Sequence, residues 1–137
     1  MRLLYLLTTS FIFFIVISNV NSQCNRIDFI NSSMEYASEK AEQENKKLFV
    51  FLHDPNDTKS EFVERALFYK SEVCRIFNEK FVNLKVKSNS TLGQQFRTHP
   101  GIRNLPAFFI LNAQQNVVVH SDGINTAAEL IQFANRN

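Results

Sequence analysis

The sequence predicts an α/β domain: a central mixed β-sheet with helices on both faces. Three observations lead there. Leu48–Leu52 is an unbroken apolar run, the mark of a central strand covered on both sides. Helix-periodic and strand-like segments alternate around it, as in a layered α/β sheet. Ala107–Leu111 and Asn116–His120 are two late strand-like runs joined by the polar segment Asn112–Gln115, which reads as a hairpin and makes one edge of the sheet antiparallel. The chain has 137 residues, 45% of them hydrophobic, which suits one core rather than two.

The first 22 residues differ in kind from the rest. Arg2 gives a positive start, Leu3–Leu7 and Phe11–Ile17 an apolar centre, and Ser22 a small residue for cleavage, the order of a secretory signal peptide. The alternative is a retained anchor, but the apolar part is at most about 17 residues, near the short limit for a span, and Asn19, Asn21 and Ser22 follow it directly. Gln23 is too bulky to precede a lipidated Cys24. The expected organisation is a signal peptide over 1–22 and one domain over 23–137, exported to a periplasm or secretory pathway, with no membrane attachment after cleavage.

Within that domain, Arg26–Ile30 reads as a short extended piece. Ser32 or Ser33 can cap a helix from about Met34 to Asn45, with Glu35 and Glu39 near its positive end. After the central strand, His53-Asp54-Pro55-Asn56-Asp57 is a turn cluster, and Asp57 or Thr58 can cap the next helix. Phe62, Ala66, Tyr69, Val73 and Phe77 recur at helical spacing and predict one helix running to about Glu79 with that stripe inward. Phe81–Val86 reads as a strand, Ser90–Thr98 as a short helix broken by His99-Pro100-Gly101, and the segment after Asp122-Gly123 as a closing helix capped by Thr126. The order is β-α-β-α-β-α-β-β-α.

Composition narrows the function. The formal charge is +2, falling to +1 without Arg2, and Lys46-Lys47 and Lys85/Lys87 are the only basic clusters, so nucleic acid is not the expected partner. Fourteen Phe and no Trp describe a Phe-packed interior. Asn31, Asn56 and Asn89 each begin a glycosylation sequon, which has meaning only in a eukaryotic secretory route. His53, Asp54 and Asp57 are compatible with acid–base or metal chemistry, yet each has a structural role at hand: strand end, turn and helix cap. His99 and His120 show no ligand spacing, and Ser60 has no partner base or oxyanion motif nearby. No metal or cofactor is expected. Cys24 and Cys74 are fifty residues apart, and two readings stay open: a structural bridge, which needs Cα atoms closer than about 7 Å, or a buried Cys74 acting as a small hydrophobe.

The ordered set of landmarks resembles the thioredoxin family. Lys47-Leu-Phe-Val-Phe-Leu-His-Asp-Pro-Asn-Asp-Thr-Lys-Ser60 is similar to its strand, loop and helix start. Ala37, Ala41 and Lys46 before it, and Asn78-Glu-Lys-Phe-Val-Asn-Leu-Lys-Val86 after it, are similar to the secreted or periplasmic branch. Gly101-Ile-Arg-Asn-Leu-Pro106 resembles the family's approach to a cis proline. The resemblance implies a thioredoxin fold over about Ile27–Asn135 and a redox pair, C-x-x-C, at the positions held here by Asp57 and Ser60. The family tryptophan falls at Asn56 and its buried carboxylate at Phe51. Thiol–disulfide exchange needs an attacking thiolate and a resolving thiol, and Asp57-Thr58-Lys59-Ser60 provides neither.

The expected function is therefore a redox-inactive, exported thioredoxin-like domain that binds a protein or extended peptide. Its groove lies beside Leu105 and Pro106, where backbone groups can pair with an added strand, with Asn56, Asp57 and Thr58 on the opposite lip. The rivals are a thiol-disulfide oxidoreductase-related protein or thiol sensor acting through Cys74, and an accessory domain of a larger assembly.

Overall fold

The computed structural model describes residues 23–136, so the segment read as a signal peptide lies outside the described residues. The central strand β2 (Lys47–His53) organises the rest. Its side chains alternate between faces: Leu48, Val50 and Leu52 enter one apolar cluster, Phe49 and Phe51 the other, and all five are fully buried. A strand with two buried faces needs helices on both, and the remaining elements supply them.

The sheet order is β1-β3-β2-β4-β5. β1 (Phe29–Ile30) and β2 run parallel to β3 (Phe81–Lys87). β4 (Ala107–Leu111) is antiparallel to β2, and β5 (Val117–Ser121) antiparallel to β4, so the expected mixed edge is present. Helix α1 (Met34–Gln43), capped by Ser33, and α4 (Thr91–Arg97), capped by Ser90, cover the face carrying Leu48, Val50 and Leu52. On the other face lie α2 (Thr58–Phe62), α3 (Ser71–Lys80) and α5 (Ala127–Ala134). There the core is largely aromatic: Phe51 meets Phe68 edge-on at 4.7 Å and Phe49 meets Phe77 at 4.6 Å between ring centroids, a preferred aromatic geometry. α5 is held by a reciprocal box in which Thr126 accepts from the Glu129 N–H and Glu129 accepts from the Thr126 N–H.

One expectation needs correction. The helix expected to run from Asp57 to Glu79 is divided: α2 passes into a π-helical turn over Val63–Leu67, and the chain then extends at Lys70 before α3. The wider turn shifts the inward stripe, so Val63, Leu67 and Phe68 are buried while Phe62 and Tyr69, expected to face inward, are about half exposed. No Pro or Gly marks this break in the sequence.

Cys24 and Cys74 are joined in a disulfide with Cα atoms 5.9 Å apart, and Cys74 is also fully buried. The two readings of Cys74 thus meet in one residue, although it is not a free thiol. Asn78 fixes the N-terminal segment beside the bridge. Its Oδ1 accepts from the Asp28 N–H at 2.8 Å, and its Nδ2 donates to the Arg26 carbonyl at 3.1 Å. Closing a loop across a sequence separation of 50 restricts the unfolded chain. By the chain-entropy relation, removal of the bridge in Cys24→Ala costs up to about 4 kcal/mol. Urea unfolding with and without dithiothreitol measures this, and equal midpoints for wild type and variant under oxidising conditions would contradict a structural role for the bridge.

Candidate functional site

The site begins where β2 ends. After His53 the chain turns sharply: the Asp57 N–H donates to the Asp54 carbonyl at 3.1 Å, and the Asn56 N–H to Asp54 Oδ1 at 2.9 Å. Asp57 is extended and caps α2, its Oδ2 accepting from the Ser60 N–H at 2.9 Å. The same oxygen accepts from the Ser60 hydroxyl at 3.1 Å, and Ser60 Oγ accepts from the Asp54 N–H at 3.2 Å. Turn and helix start are thereby locked together. Ser60 is only 2% exposed, so its oxygen, already engaged as donor and acceptor, is withdrawn from any substrate.

Pairing within the sheet brings the second half of the site to this turn. Leu52 lies opposite Ala107, so the residue before Ala107 sits at the end of β2 beside α2. That residue, Pro106, is buried, and the Leu105–Pro106 peptide bond is cis. A groove of about 430 Å³ separates the two elements. Thr58, Lys59, Phe62 and Val63 form one wall, Asn104, Leu105 and Pro106 the other, and residues 122–125 complete it. Asn56 and Asp57 are not part of the lining, while Ser60 faces a separate hollow with His53, Asp54 and Lys85. Among the described residues, no turn or loop hydrogen bond uses the backbone N–H or carbonyl of Leu105.

Asp122, read in the sequence only as part of a turn, shapes this wall. Its Oδ2 accepts from the N–H groups of Arg103 at 2.7 Å and Asn104 at 2.8 Å, steering the loop into Pro106. Burial pushes its carboxyl up, but the two backbone donors outweigh burial and hold it below the ordinary value of 3.8. Only its position before Gly123 hinted at this role. Beneath the turn, His53 is buried and stacked on Phe51 at 5.5 Å. Burial, reinforced by the nearby Lys85 charge, keeps its imidazole below the ordinary value and so neutral. Glu64 pairs with Lys85. Asp54 and Asp57 are committed to the turn and the cap, and among the described residues no group of three His, Cys, Asp or Glu is placed to hold a metal.

Two outcomes follow. Asp57→Ala removes the α2 cap and costs about 1 kcal/mol, whereas Asp57→Asn, which also caps, costs less; denaturant unfolding distinguishes them, and equal losses would deny the cap its role. The depressed Asp122 pKa means that its contribution is present above the unfolded value and is lost as pH falls through the folded one. Acidification below about 3.8 therefore speeds amide exchange at Arg103 and Asn104, relative to neighbouring amides, in wild type. In Asp122→Ala this extra loss of protection is absent because those amides are already unprotected, and acid-induced opening that persists in the variant would contradict the assignment.

Comparison with known proteins places this architecture. The profile of a family described as thioredoxin-like matches residues 29–113. The fold is similar to the solution structure of a candidate disulphide-isomerase from Bacteroides thetaiotaomicron, with 30% identity, TM-score 0.71, and 81% of this chain and 92% of that one covered. A thioredoxin from Thermus thermophilus aligns at 16% identity and TM-score 0.67 over 81% of this chain and 86% of its own. The oxidised C-terminal domain of Neisseria meningitidis DsbD aligns at 16% identity and TM-score 0.60 over 81% and 98%. No curated protein sequence matches. The chain belongs to the thioredoxin-like family.

Proposed function

We propose that this chain is an exported thioredoxin-like domain in which Asp57-Thr58-Lys59-Ser60 stands in the place of the redox pair, and whose groove holds an extended polypeptide without exchanging disulfides at that position. The observation that carries this reading is the hydrogen bond between Asp57 and Ser60, 3.1 Å long, in the first turn after the central strand and next to the wall formed by cis Pro106. An oxygen pair at that place caps a helix; it has no sulfur to attack or resolve a disulfide. Phe51, at the position of the family's buried carboxylate, packs among Phe29, Phe68 and Phe108 and itself has no group to carry a proton.

The unengaged backbone of Leu105 and the half-exposed ring of Phe62 on the facing wall suit an added strand, with main-chain hydrogen bonds on one side and apolar contact on the other. Export is supported by the signal-like N-terminus and by a disulfide, which persists in oxidising compartments. Among the described residues no helix is long and apolar enough to cross a membrane.

A second reading rests on the disulfide itself. Cys24 is only partly buried whereas Cys74 is fully buried, so an incoming thiolate would attack Cys24 Sγ. The Cys24–Cys74 bond would break with Cys74 leaving as thiolate, and a second thiol would resolve the mixed disulfide, leaving both cysteines reduced and the external thiols oxidised. This replaces the lone-thiol sensor expected at Cys74 with an exchangeable bridge.

Insulin-disulfide reduction by dithiothreitol separates the two. Under the first reading wild type does not exceed background and Asp57→Cys/Ser60→Cys gains turnover. Wild-type turnover abolished by Cys74→Ala would overturn it in favour of the second. Binding is tested independently with a permanently unfolded, carboxymethylated polypeptide. Amide shifts across 58–63 and 104–106 are expected, and shifts confined to other surfaces would contradict the groove.

A further inference from the structure

His99 and His120 show no ligand spacing in the sequence, but the fold brings them together. His99 follows α4 in the loop that leads to Pro106, and His120 lies in β5 opposite Phe109 of β4. Their ring centroids are 4.6 Å apart with planes tilted by 60°, and the Phe109 ring lies 5.7 Å from one and 6.4 Å from the other. Both imidazoles are half-buried.

Two further observations shape the pair. His99 Nδ1 lies 2.9 Å from the Pro100 carbonyl. A carbonyl can only accept, so Nδ1 carries the proton and the Nε2 lone pair is left free, the arrangement by which proteins orient a metal-binding histidine. Gly101 adopts φ +90, and a Cβ there would come within 2.9 Å of His120 Cε1. The glycine thus serves both a left-handed turn and the space occupied by the His120 ring.

We propose that His99 and His120 form a two-imidazole site for a borderline divalent cation, Cu²⁺ before Ni²⁺ or Zn²⁺, with water in the remaining positions. A metal about 2 Å from each ligating nitrogen lies about 3.2 Å from each ring centroid, so rings at right angles about the metal have centroids about 4.5 Å apart, against about 5.2 Å for a tetrahedral angle. The observed 4.6 Å is within the span that one ion can bridge, and copper leads the affinity order for such imidazole ligands. A bound ion would tie the loop after α4 to β5, the strand that leads to Asp122 and the groove wall.

The test is titration of the disulfide-intact protein, free of any histidine tag, with Cu²⁺, followed by visible absorption and electron paramagnetic resonance. One saturable equivalent with nitrogen coupling is expected, lost in His99→Ala and in His120→Ala when circular dichroism shows both variants folded. In wild type, substoichiometric Cu²⁺ should broaden the imidazole protons of His99 and His120 and spare those of His53, a readout that needs no variant. The absence of saturable binding, equal broadening of all three histidines, or binding that survives both substitutions (as copper held by the chain's own N-terminus would) overturns the proposal.

Discussion

The burial of β2 on both faces is the constraint from which the rest follows. Five consecutive apolar side chains without exposure demand helices above and below, and the alternation of Leu and Val with Phe decides which helices meet which residues. The same strand fixes the site. Its C-terminal end sets where α2 begins, and its pairing with β4 sets Pro106 beside that first turn. Neither wall of the groove depends on a flexible connection alone. One follows directly from β2, and the other is held by strand register together with the Asp122 carboxylate.

At this junction the residues at 57 and 60 touch as acceptor and donor of a hydrogen bond. A carboxylate at a helix N-terminus is stabilised by the dipole and by the free N–H groups it accepts. The arrangement favours a settled cap over a reactive group. The cysteine sulfurs are confined to the Cys24–Cys74 bridge, which joins the N-terminal segment to α3 with Asn78 alongside. Groove and bridge use separate parts of the chain, which is why binding and exchange can be assayed apart.

Much of the fold was legible because its signals are short-range and redundant. The β2 run, the Ser33, Asp57 and Thr126 caps, the short helix before His99 and the late hairpin each have a local cause, and each forms within a residue or two of its expected place. The break between α2 and α3 was not legible, because a π-helical turn has no composition of its own and a plain helical stripe fits Phe62 and Tyr69 equally well. Part of the site was equally hidden. Asp122 acts across 18 and 19 residues on the backbone of Asn104 and Arg103, and His99 meets His120 only because the loop after α4 folds back on β5. Contacts of that kind depend on strand register, which spacing along the chain does not reveal.

The central claim is that the site beside Pro106 contains no exchangeable sulfur and is built from an oxygen pair. Its most direct test is a comparison of amide NMR spectra of the protein under oxidising and fully reducing conditions. The account predicts that the largest changes cluster at Cys24, Arg26, Cys74 and Asn78, while residues 54–60 and 103–106 keep their positions. Redox-dependent shifts centred on Asp57, Ser60 and Leu105 would contradict it.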